Sequence, residues 1–244
     1  MDNARQLMLA LDTSMPISSA ALLDGISVVN SSLWRADRRH SMHLEPNVRA
    51  VVGAELDHVG TVAVAAGPGG FSSLRTSMAF AKGLCVALRV RLNSVSSSLA
   101  LAYSAPVSAE WIISLIPTVR DHYFAQIFRR RKTQAGPSGE KATGVIEVLS
   151  PCKSVHYEGL HELLSGPTIV VGHVSEMHLA MMKQASKWPL EFEEGLSAIG
   201  LARFVGLVAS QTHKDVGLMT TITAVPEYLR GAGVTAPGAG QLKL

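Results

Sequence analysis

Asp12, Thr13 and Ser14 form a polar trio that directly follows the apolar run at residues 7–11. The run predicts a fully buried strand. A carboxylate and two hydroxyls at the end of such a strand are the groups that meet phosphate or metal-bound water in many nucleotide-binding sheets. The alternative is a turn in which Asp12 or Ser14 bonds local backbone, and the trio in isolation favours that alternative.

A second candidate site is the glycine turn at residues 67–70, Gly-Pro-Gly-Gly, between an apolar strand and an amphipathic helix. Free backbone N–H groups and the helix dipole at a helix start both favour an anion. Ser72 or Ser73 is the expected N-cap of this helix. The string matches neither the P-loop pattern nor the GxGxxG fingerprint, so a tight turn without a ligand is the alternative.

His40 and His43 stand three residues apart near the start of another predicted helix, at residues 40–56. This spacing could hold a metal ion on one helix face. No third ligand is identifiable in the sequence, and histidines near helix starts are frequent. We therefore expect no metal site here.

The composition predicts a globular protein with a sizeable core, since 47% of the 244 residues are apolar and 17% are charged. The length favours two domains. The two cysteines, Cys85 and Cys152, imply no disulfide framework and favour a reducing compartment. The sequence has neither a signal-peptide pattern nor an apolar run of membrane-spanning length, so we expect a cytoplasmic protein.

The net charge of +3 includes two basic clusters, at residues 35–39 and 129–132. Such clusters can contact phosphate backbones, but the solvated end of a hairpin is the commoner explanation. No aromatic residues interleave with them as a single-strand binding platform would require. Direct binding of RNA is therefore the weaker interpretation.

Hydrophobic periodicity predicts alternating strands and helices. An Asp24-Gly25 turn joins two of the strands, and residues 111–116 and 122–128 form a hairpin. We expect Met177, Met181 and Met182 to be core residues, residues 131–144 to form a loop, and the chain beyond Arg230 to be disordered. The remaining predicted strands lie at residues 90–95, 145–149 and 168–172, and the remaining helices at residues 96–103, 175–185 and 196–209.

Four motifs together resemble the TsaB (YeaZ) family: LALDTS, AAGPGGFSSLRTSMAFAKGL, VSSSLALA and VPEYLR. The resemblance is good in the first half of the chain and thinner later. Family members typically read GPGSFTGLR in the central motif, and this chain departs from it only at small residues, Gly70, Ser72 and Ser73. The family is the bacterial partner subunit in forming N6-threonylcarbamoyladenosine at position 37 of tRNAs reading ANN codons.

The resemblance implies an α/β protein with the actin-like, Hsp70-like ATPase (ASKHA) fold, two lobes each with a mixed β-sheet and helices. We expect lobes at residues 1–105 and 106–225, followed by a tail at residues 226–244, with the helix at residues 196–209 contributing to the packing between the lobes. Loops of this superfamily grip nucleotide phosphates. The matching positions here, as vestigial phosphate loops, are Asp12, Thr13, Ser14, Gly67, Gly69 and Gly70.

Two departures from the family patterns argue against catalysis. Pro117 occupies the end of a strand where the family often has an Asp, and proline offers neither charge nor N–H. The catalytic relative TsaD carries a metal-binding motif like NHLEGH, whereas the corresponding histidine positions here are Ser97 and Leu101. Neither residue can replace imidazole as a ligand. We expect no catalytic residue, no metal site and no cofactor of the protein's own.

The resemblance thus implies a non-catalytic partner subunit, a pseudoenzyme that supports the TsaD threonylcarbamoyltransferase. Its implied partners are TsaD and TsaE, with tRNA reached through the complex, ATP or ADP at the interface with TsaD, and no membrane. The alternative is an active actin-fold enzyme, peptidase-like or phosphotransferase. The lack of an HExxH pattern opposes the peptidase, and Pro117 opposes the phosphotransferase.

We expect the association surface on the helices at residues 43–56 and 74–88, because the second has a wide apolar stripe that something must cover. In the resembling family these helices bundle with the partner, and the isolated protein uses the same surface to form a homodimer. The alternative is that both stripes are buried within the chain. The predicted interface residues are Leu44, Val48, Val51, Leu74, Met78, Ala81, Leu84, Cys85 and Leu88.

Overall fold

The computed structural model describes residues 6–35, 40–131, 145–193, 195–211 and 226. Two β-sheets and their helices make up this part of the chain. The strands are β1 (Leu7–Asp12), β2 (Ile17–Asp24), β3 (Ser27–Arg35), β4 (Val59–Gly67), β5 (Arg91–Ser96), β6 (Trp111–Pro117), β7 (His122–Arg131), β8 (Val145–Val148), β9 (Lys153–His156), β10 (Thr168–Gly172) and β11 (Leu190–Phe192). The helices are α1 (His40–Val52), α2 (Phe71–Leu88), α3 (Ser97–Ser104), α4 (Glu176–Ala185), α5 (Leu196–Ile199) and α6 (Ala202–Gln211).

The first sheet has the order β3-β2-β1-β4-β5. β1 lies at its centre, antiparallel to β2 and parallel to β4, and all six of its residues are buried. The predicted turn at Asp24 and Gly25 joins β2 to β3, with Gly25 at φ 59. Because β1 and β4 run parallel, the polar trio after β1 and the glycine turn after β4 emerge at the same edge of the sheet.

α1 and α2 pack on one face of this sheet and differ from the predicted helices at their ends. α2 starts at Phe71 with Gly70 as its N-cap and no side-chain cap, so the predicted cap at Ser72 or Ser73 is wrong. α1 ends at Val52, and a 3₁₀ helix, Gly53–His58, follows it. The apolar period continues through both segments, which is why the sequence suggested a single helix.

The second sheet has the order β11-β10-β6-β7-β8, with β9 paired to β7. β6 and β7 form the predicted antiparallel hairpin. Its turn contains two consecutive residues with positive φ, Arg120 at 54° and Asp121 at 59°. α3 and α6 fill the layer between the two sheets, where a single apolar cluster joins residues of β1, β6 and β7.

The helix predicted at residues 196–209 is two helices, because Gly200 interrupts it at φ 70. A Cβ at Gly200 would lie 2.6 Å from the Cβ of Ser19, so the chain passes close to β2 at this point. α6 then lies against β1, β2, β4 and β5 of the first sheet and against α3. The predicted lobe boundaries stay a prediction.

The methionines of α4 are not all core residues. Met182 is buried, whereas Met177 and Met181 are 62% and 40% exposed, so the prediction is wrong for those two. The predicted loop beyond Arg131 and the predicted tail lie outside the described residues, except for Pro226. Within the described ranges, no helix has the length and apolar character needed to span a membrane.

Candidate functional site

The polar trio after β1 is held by hydrogen bonds within the chain. Oδ1 of Asp12 accepts from the Ser14 backbone N–H at 3.0 Å and from the Ser14 hydroxyl at 2.6 Å. The Thr13 hydroxyl lies 2.9 Å from the Ser73 carbonyl oxygen, to which it donates, and 2.8 Å from the Ser77 hydroxyl. All three residues of the trio are buried. The trio therefore ties the end of β1 to the first two turns of α2.

The glycine turn closes onto the same trio. The Gly70 backbone N–H donates to the Ser14 carbonyl oxygen at 3.1 Å. At Gly69 a Cβ would lie 2.5 Å from that oxygen and 2.7 Å from the Ser14 Cα, so only glycine fits against this backbone. The structure thus brings together the two predicted loops, residues 12–14 and 67–70, by direct contact between them.

Asp12 is the strongest electrostatic feature of the site. Burial raises the pKa of its carboxyl from 3.8 to about 6, against the smaller opposing effect of the hydrogen bonds from Ser14. Its Oδ2 is buried and has no hydrogen-bond partner. A buried carboxylate with one oxygen unpaired is costly in its charged form, so this geometry favours the protonated acid up to about pH 6.

This arrangement does not fit nucleotide phosphates. A phosphate would need free N–H groups and space at the glycine turn. Here the Gly70 N–H is already bonded, the space beside Gly69 is filled by Ser14, and no cation neighbours Asp12 among its described contacts. Of the six residues predicted as vestigial phosphate loops, all but Gly67 take part in contacts that hold the end of β1 against the glycine turn and α2.

The β6–β7 turn, which follows Pro117, is also closed by hydrogen bonds. Pro117 ends β6, and the Thr118 N–H donates to the His122 carbonyl oxygen at 2.9 Å. The Tyr157 N–H donates to the Asp121 carbonyl oxygen at 3.0 Å, which fixes the tip of the turn from outside. The Thr118 N–H and the Asp121 carbonyl oxygen of this turn are therefore already hydrogen bonded within the chain.

A buried aromatic cluster beside this turn was missed by the sequence analysis. The Tyr123 hydroxyl and Nδ1 of His178 are hydrogen bonded at 2.8 Å, and the His178 ring stacks on Tyr157 with centroids 4.1 Å apart. Nε2 of His178 is buried without a hydrogen bond, 3.8 Å from Oδ1 of Asp121. These residues come from separate elements, so no local spacing could have indicated them.

The positions matched to the TsaD metal ligands lie in the core. Ser97 and Leu101 are both fully buried in α3, and Leu101 belongs to the apolar cluster between the sheets. Within the described ranges, His, Cys, Asp and Glu side chains form no group of three that could hold a metal ion. The absence of a metal site at His40 and His43 stays a prediction.

The basic cluster at residues 129–131 is engaged within the hairpin. Arg129 pairs with Glu110 at 2.6 Å and Arg131 with Glu147 at 2.6 Å. Arg130 is half-buried and donates to the Ala102 and Ala105 carbonyl oxygens at the end of α3. Burial lowers the pKa of Arg130. These contacts favour the structural interpretation of the cluster over an RNA-binding one; most of the cluster at residues 35–39 lies outside the described residues.

Most of the predicted interface residues are core residues of the chain itself. Seven of the nine are buried, six of them in the apolar cluster between the helices and the first sheet, and Leu84 and Leu88 are half-buried. Those seven cannot contact a partner while the fold is intact. The buried ones are Leu44, Val48, Val51, Leu74, Met78, Ala81 and Cys85.

An α/β protein of two sheets, with the loop after β1 bonded to the glycine turn after β4, is the class of protein that these observations define. A family model described as TsaD, tRNA N6-adenosine threonylcarbamoyltransferase, matches residues 34–119. The tRNA threonylcarbamoyladenosine biosynthesis protein TsaB of Bacillus subtilis (strain 168) is 24% identical, over 94% of this chain and 96% of that protein.

Two solved structures are similar over nearly the whole chain. YeaZ from Pseudomonas aeruginosa has a TM-score of 0.69 and 23% identity, covering 92% of this chain and 100% of that chain. A Pseudomonas aeruginosa protein described as similar to peptidase YEAZ has a TM-score of 0.68 and 22% identity, with the same coverage. The chain is thus similar over nearly its whole length to proteins named TsaB and YeaZ, and it shares the fold of the two solved structures.

Proposed function

We propose that the protein takes part in tRNA threonylcarbamoyladenosine biosynthesis as a non-catalytic partner subunit of TsaD. The similarity to TsaB and the TsaD family model supports the pathway. The observation that carries the non-catalytic role is the burial of Ser97 and Leu101 at the positions of the TsaD metal ligands. A hydroxyl and an alkyl group enclosed in the core cannot bind a catalytic metal ion.

In this proposal the protein is cytoplasmic, pairs with TsaD and with TsaE, and reaches tRNA at position 37 of ANN-reading species through the complex. ATP or ADP would bind at the boundary with TsaD, because the protein's own phosphate loops are closed on each other. The isolated chain would form a homodimer through the surface that it otherwise offers to TsaD.

The direct test is reconstitution. The chain should co-purify with TsaD of the same organism, and tRNA modification in vitro should require both proteins. Modification by TsaD, TsaE and substrates without this chain would contradict the proposal, as would a failure of the chain to bind TsaD. Restored modification with Asp12→Ala in this chain would support a role that needs no carboxylate here.

The isolated chain is expected to show negligible ATPase and peptidase activity with Mg²⁺, Zn²⁺ or Fe²⁺. One physical reason is that β6 ends in Pro117, which has no carboxylate. The other is that one carboxylate oxygen of Asp12 is buried and has no hydrogen-bond partner among the described residues. Turnover assays on the purified protein check this prediction. Robust turnover that Asp12→Ala abolishes would instead support the alternative, an active actin-fold enzyme.

The association surface is expected on the outer face of α2, where Val86 is 67% exposed. Val86→Glu should weaken binding to TsaD at least about tenfold, and should also weaken self-association, because an apolar interface pays the cost of an unpaired buried charge. Analytical ultracentrifugation gives both affinities. Met78 is unsuitable for this test, since it is buried in the core and a charge there would unfold the chain.

Ile26→Glu is the matched control. Ile26 is 69% exposed but lies in the β2–β3 turn, away from α2. Ile26→Glu should leave binding to TsaD unchanged. Both substitutions put a glutamate in place of an exposed aliphatic residue, and they differ only in where that residue lies. Normal binding by Val86→Glu together with weak binding by Ile26→Glu would move the interface to the β2–β3 end of the sheet.

A further inference from the structure

A cavity of about 390 Å³ lies between the β1–β2 turn and the second half of the chain. One wall is Met15 and Pro16, and the opposite wall is formed by the ends of β10 and β11 with α4. Its volume is in the range of pockets that hold small molecules, and its place at the carboxyl ends of β10 and β11 is where α/β sheets bind ligands. None of the trio residues and none of the glycine-turn residues line it.

The charged groups that line the cavity are acidic. Glu176 and Glu193 are both in its wall, and among the described residues no lysine or arginine lines it. His173 also lines it. A polyphosphate would face two carboxylates without a counter-charge, so the electrostatics oppose a nucleotide and favour a cation.

The start of α4 does not change this conclusion. A helix N-terminus favours an anion, but Glu176 is the first residue of α4 and supplies the negative charge there itself. The Ser175 hydroxyl already accepts from the His178 backbone N–H. The positive end of the helix is therefore satisfied by the protein's own groups.

A further carboxyl group lies behind the cavity. Gly200, in the cavity wall, approaches Ser19 closely, and Ser19 is the cross-strand partner of Asp12. Directly paired residues of antiparallel strands project from the same face of the sheet. The unpaired Oδ2 of Asp12 therefore belongs to the sheet face that backs the cavity, and its charged form adds to the negative potential.

The remaining wall is apolar and includes an aromatic ring. Leu179, Phe192 and Leu201 line the cavity together with the two glutamates. We infer that this cavity binds a small organic cation, with a primary ammonium group held by Glu176 and Glu193 and an apolar body against these three side chains. This inference is independent of the proposed pairing with TsaD.

The test uses three probes that share one aromatic body and differ in charge: 2-phenylethylamine, 2-phenylethanol and phenylacetate. Binding is followed by ligand-observed and protein-observed NMR on the full chain at pH 8 and low salt. We expect the amine to bind at least tenfold more tightly than the alcohol, the acid not to bind, and Mg-ATP not to displace the amine. Addition of 0.5 M NaCl should reduce the preference for the amine.

The double variant Glu176→Gln with Glu193→Gln should bind the amine no better than the alcohol, while the affinity for the alcohol stays unchanged. Glutamine at position 193 keeps an oxygen that can accept the Gly195 N–H, which Glu193 now does at 3.0 Å. Glu162→Gln, an exposed carboxylate outside this cavity, is the control. Equal or tighter binding of phenylacetate, no binding of any probe at millimolar concentration, or an unchanged amine preference in the double variant would each overturn the inference.

Discussion

Asp12→Asn is expected to make the protein more stable at pH 8 by up to about 3 kcal/mol, although the substitution removes a charged group. Burial raises the pKa of Asp12 from 3.8 to about 6 in the folded protein. The folded state therefore holds this proton more tightly than the unfolded chain does. Asparagine keeps an oxygen for the Ser14 N–H and hydroxyl and cannot ionise.

The sign of the pH dependence follows from linkage. Between about pH 4 and pH 6 the folded state binds more protons at Asp12 than the unfolded state, so the contribution of Asp12 to stability falls as the pH rises through this window. Below the window the full contribution is present, and above it the loss is complete. Wild type and Asp12→Asn should thus be close in stability at pH 4 and furthest apart at pH 8.

Urea denaturation of both proteins across pH 4 to 8 measures this difference directly, because carboxylates common to the two proteins cancel. Glu162→Gln, at an exposed site, serves as the control for removing one charge and should change the free energy of unfolding by less than about 0.5 kcal/mol at either pH. Parallel stability curves for wild type and Asp12→Asn would mean that Asp12 is not buried in a shielded site.

Gly69→Ala is expected to lower the free energy of unfolding by about 3 kcal/mol, since overpacking against backbone cannot be relieved by a side-chain rotation. The new Cβ would lie 2.5 Å from the Ser14 carbonyl oxygen and 2.7 Å from the Ser14 Cα. The clash would separate the glycine turn from the polar trio and break the hydrogen bond from the Gly70 N–H. Urea denaturation at pH 7 gives the change.

Gly83→Ala is the matched control for this substitution. Gly83 lies within α2, and a Cβ there meets nothing within 4 Å. Alanine is the better helix former, so this variant should be more stable than wild type by up to about 1 kcal/mol. If Gly69→Ala proved as stable as Gly83→Ala, the two loops would not be in contact in solution.

Both predictions concern the polar trio after β1, which is buried and bonded to the glycine turn and to α2. The Thr13 hydroxyl is hydrogen bonded to Ser73 and Ser77, and the Ser14 hydroxyl donates to Asp12. The sequence left open two alternatives for the trio, a ligand-binding loop and a turn bonded to local backbone, and the observed contacts are closer to the second. The bonds are internal, as the turn interpretation expected, but they reach a helix about 60 residues away as well as the local backbone.

The sequence by itself determined most of the elements and their order, but not the short strands β9 and β11. The buried strand before Asp12, the turn at Asp24 and Gly25, the glycine turn before α2 and the β6–β7 hairpin all appear as predicted. These features depend on local periodicity and on the backbone freedom of a few residues, which a single sequence displays. Element ends and the break at Gly200 were misjudged, because the apolar period continues across them.

Only the tertiary structure decided which groups face one another. The apolar stripe of α2 showed that Met78 and Cys85 must be covered, but not whether the first sheet or a partner covers them, and the sheet does. Tyr123 and His178 are 55 positions apart in sequence, and their contact arises from the packing of α4 on β7. The charge state of Asp12 depends on burial by distant elements, and burial is a property of the folded chain that spacing along the sequence does not contain.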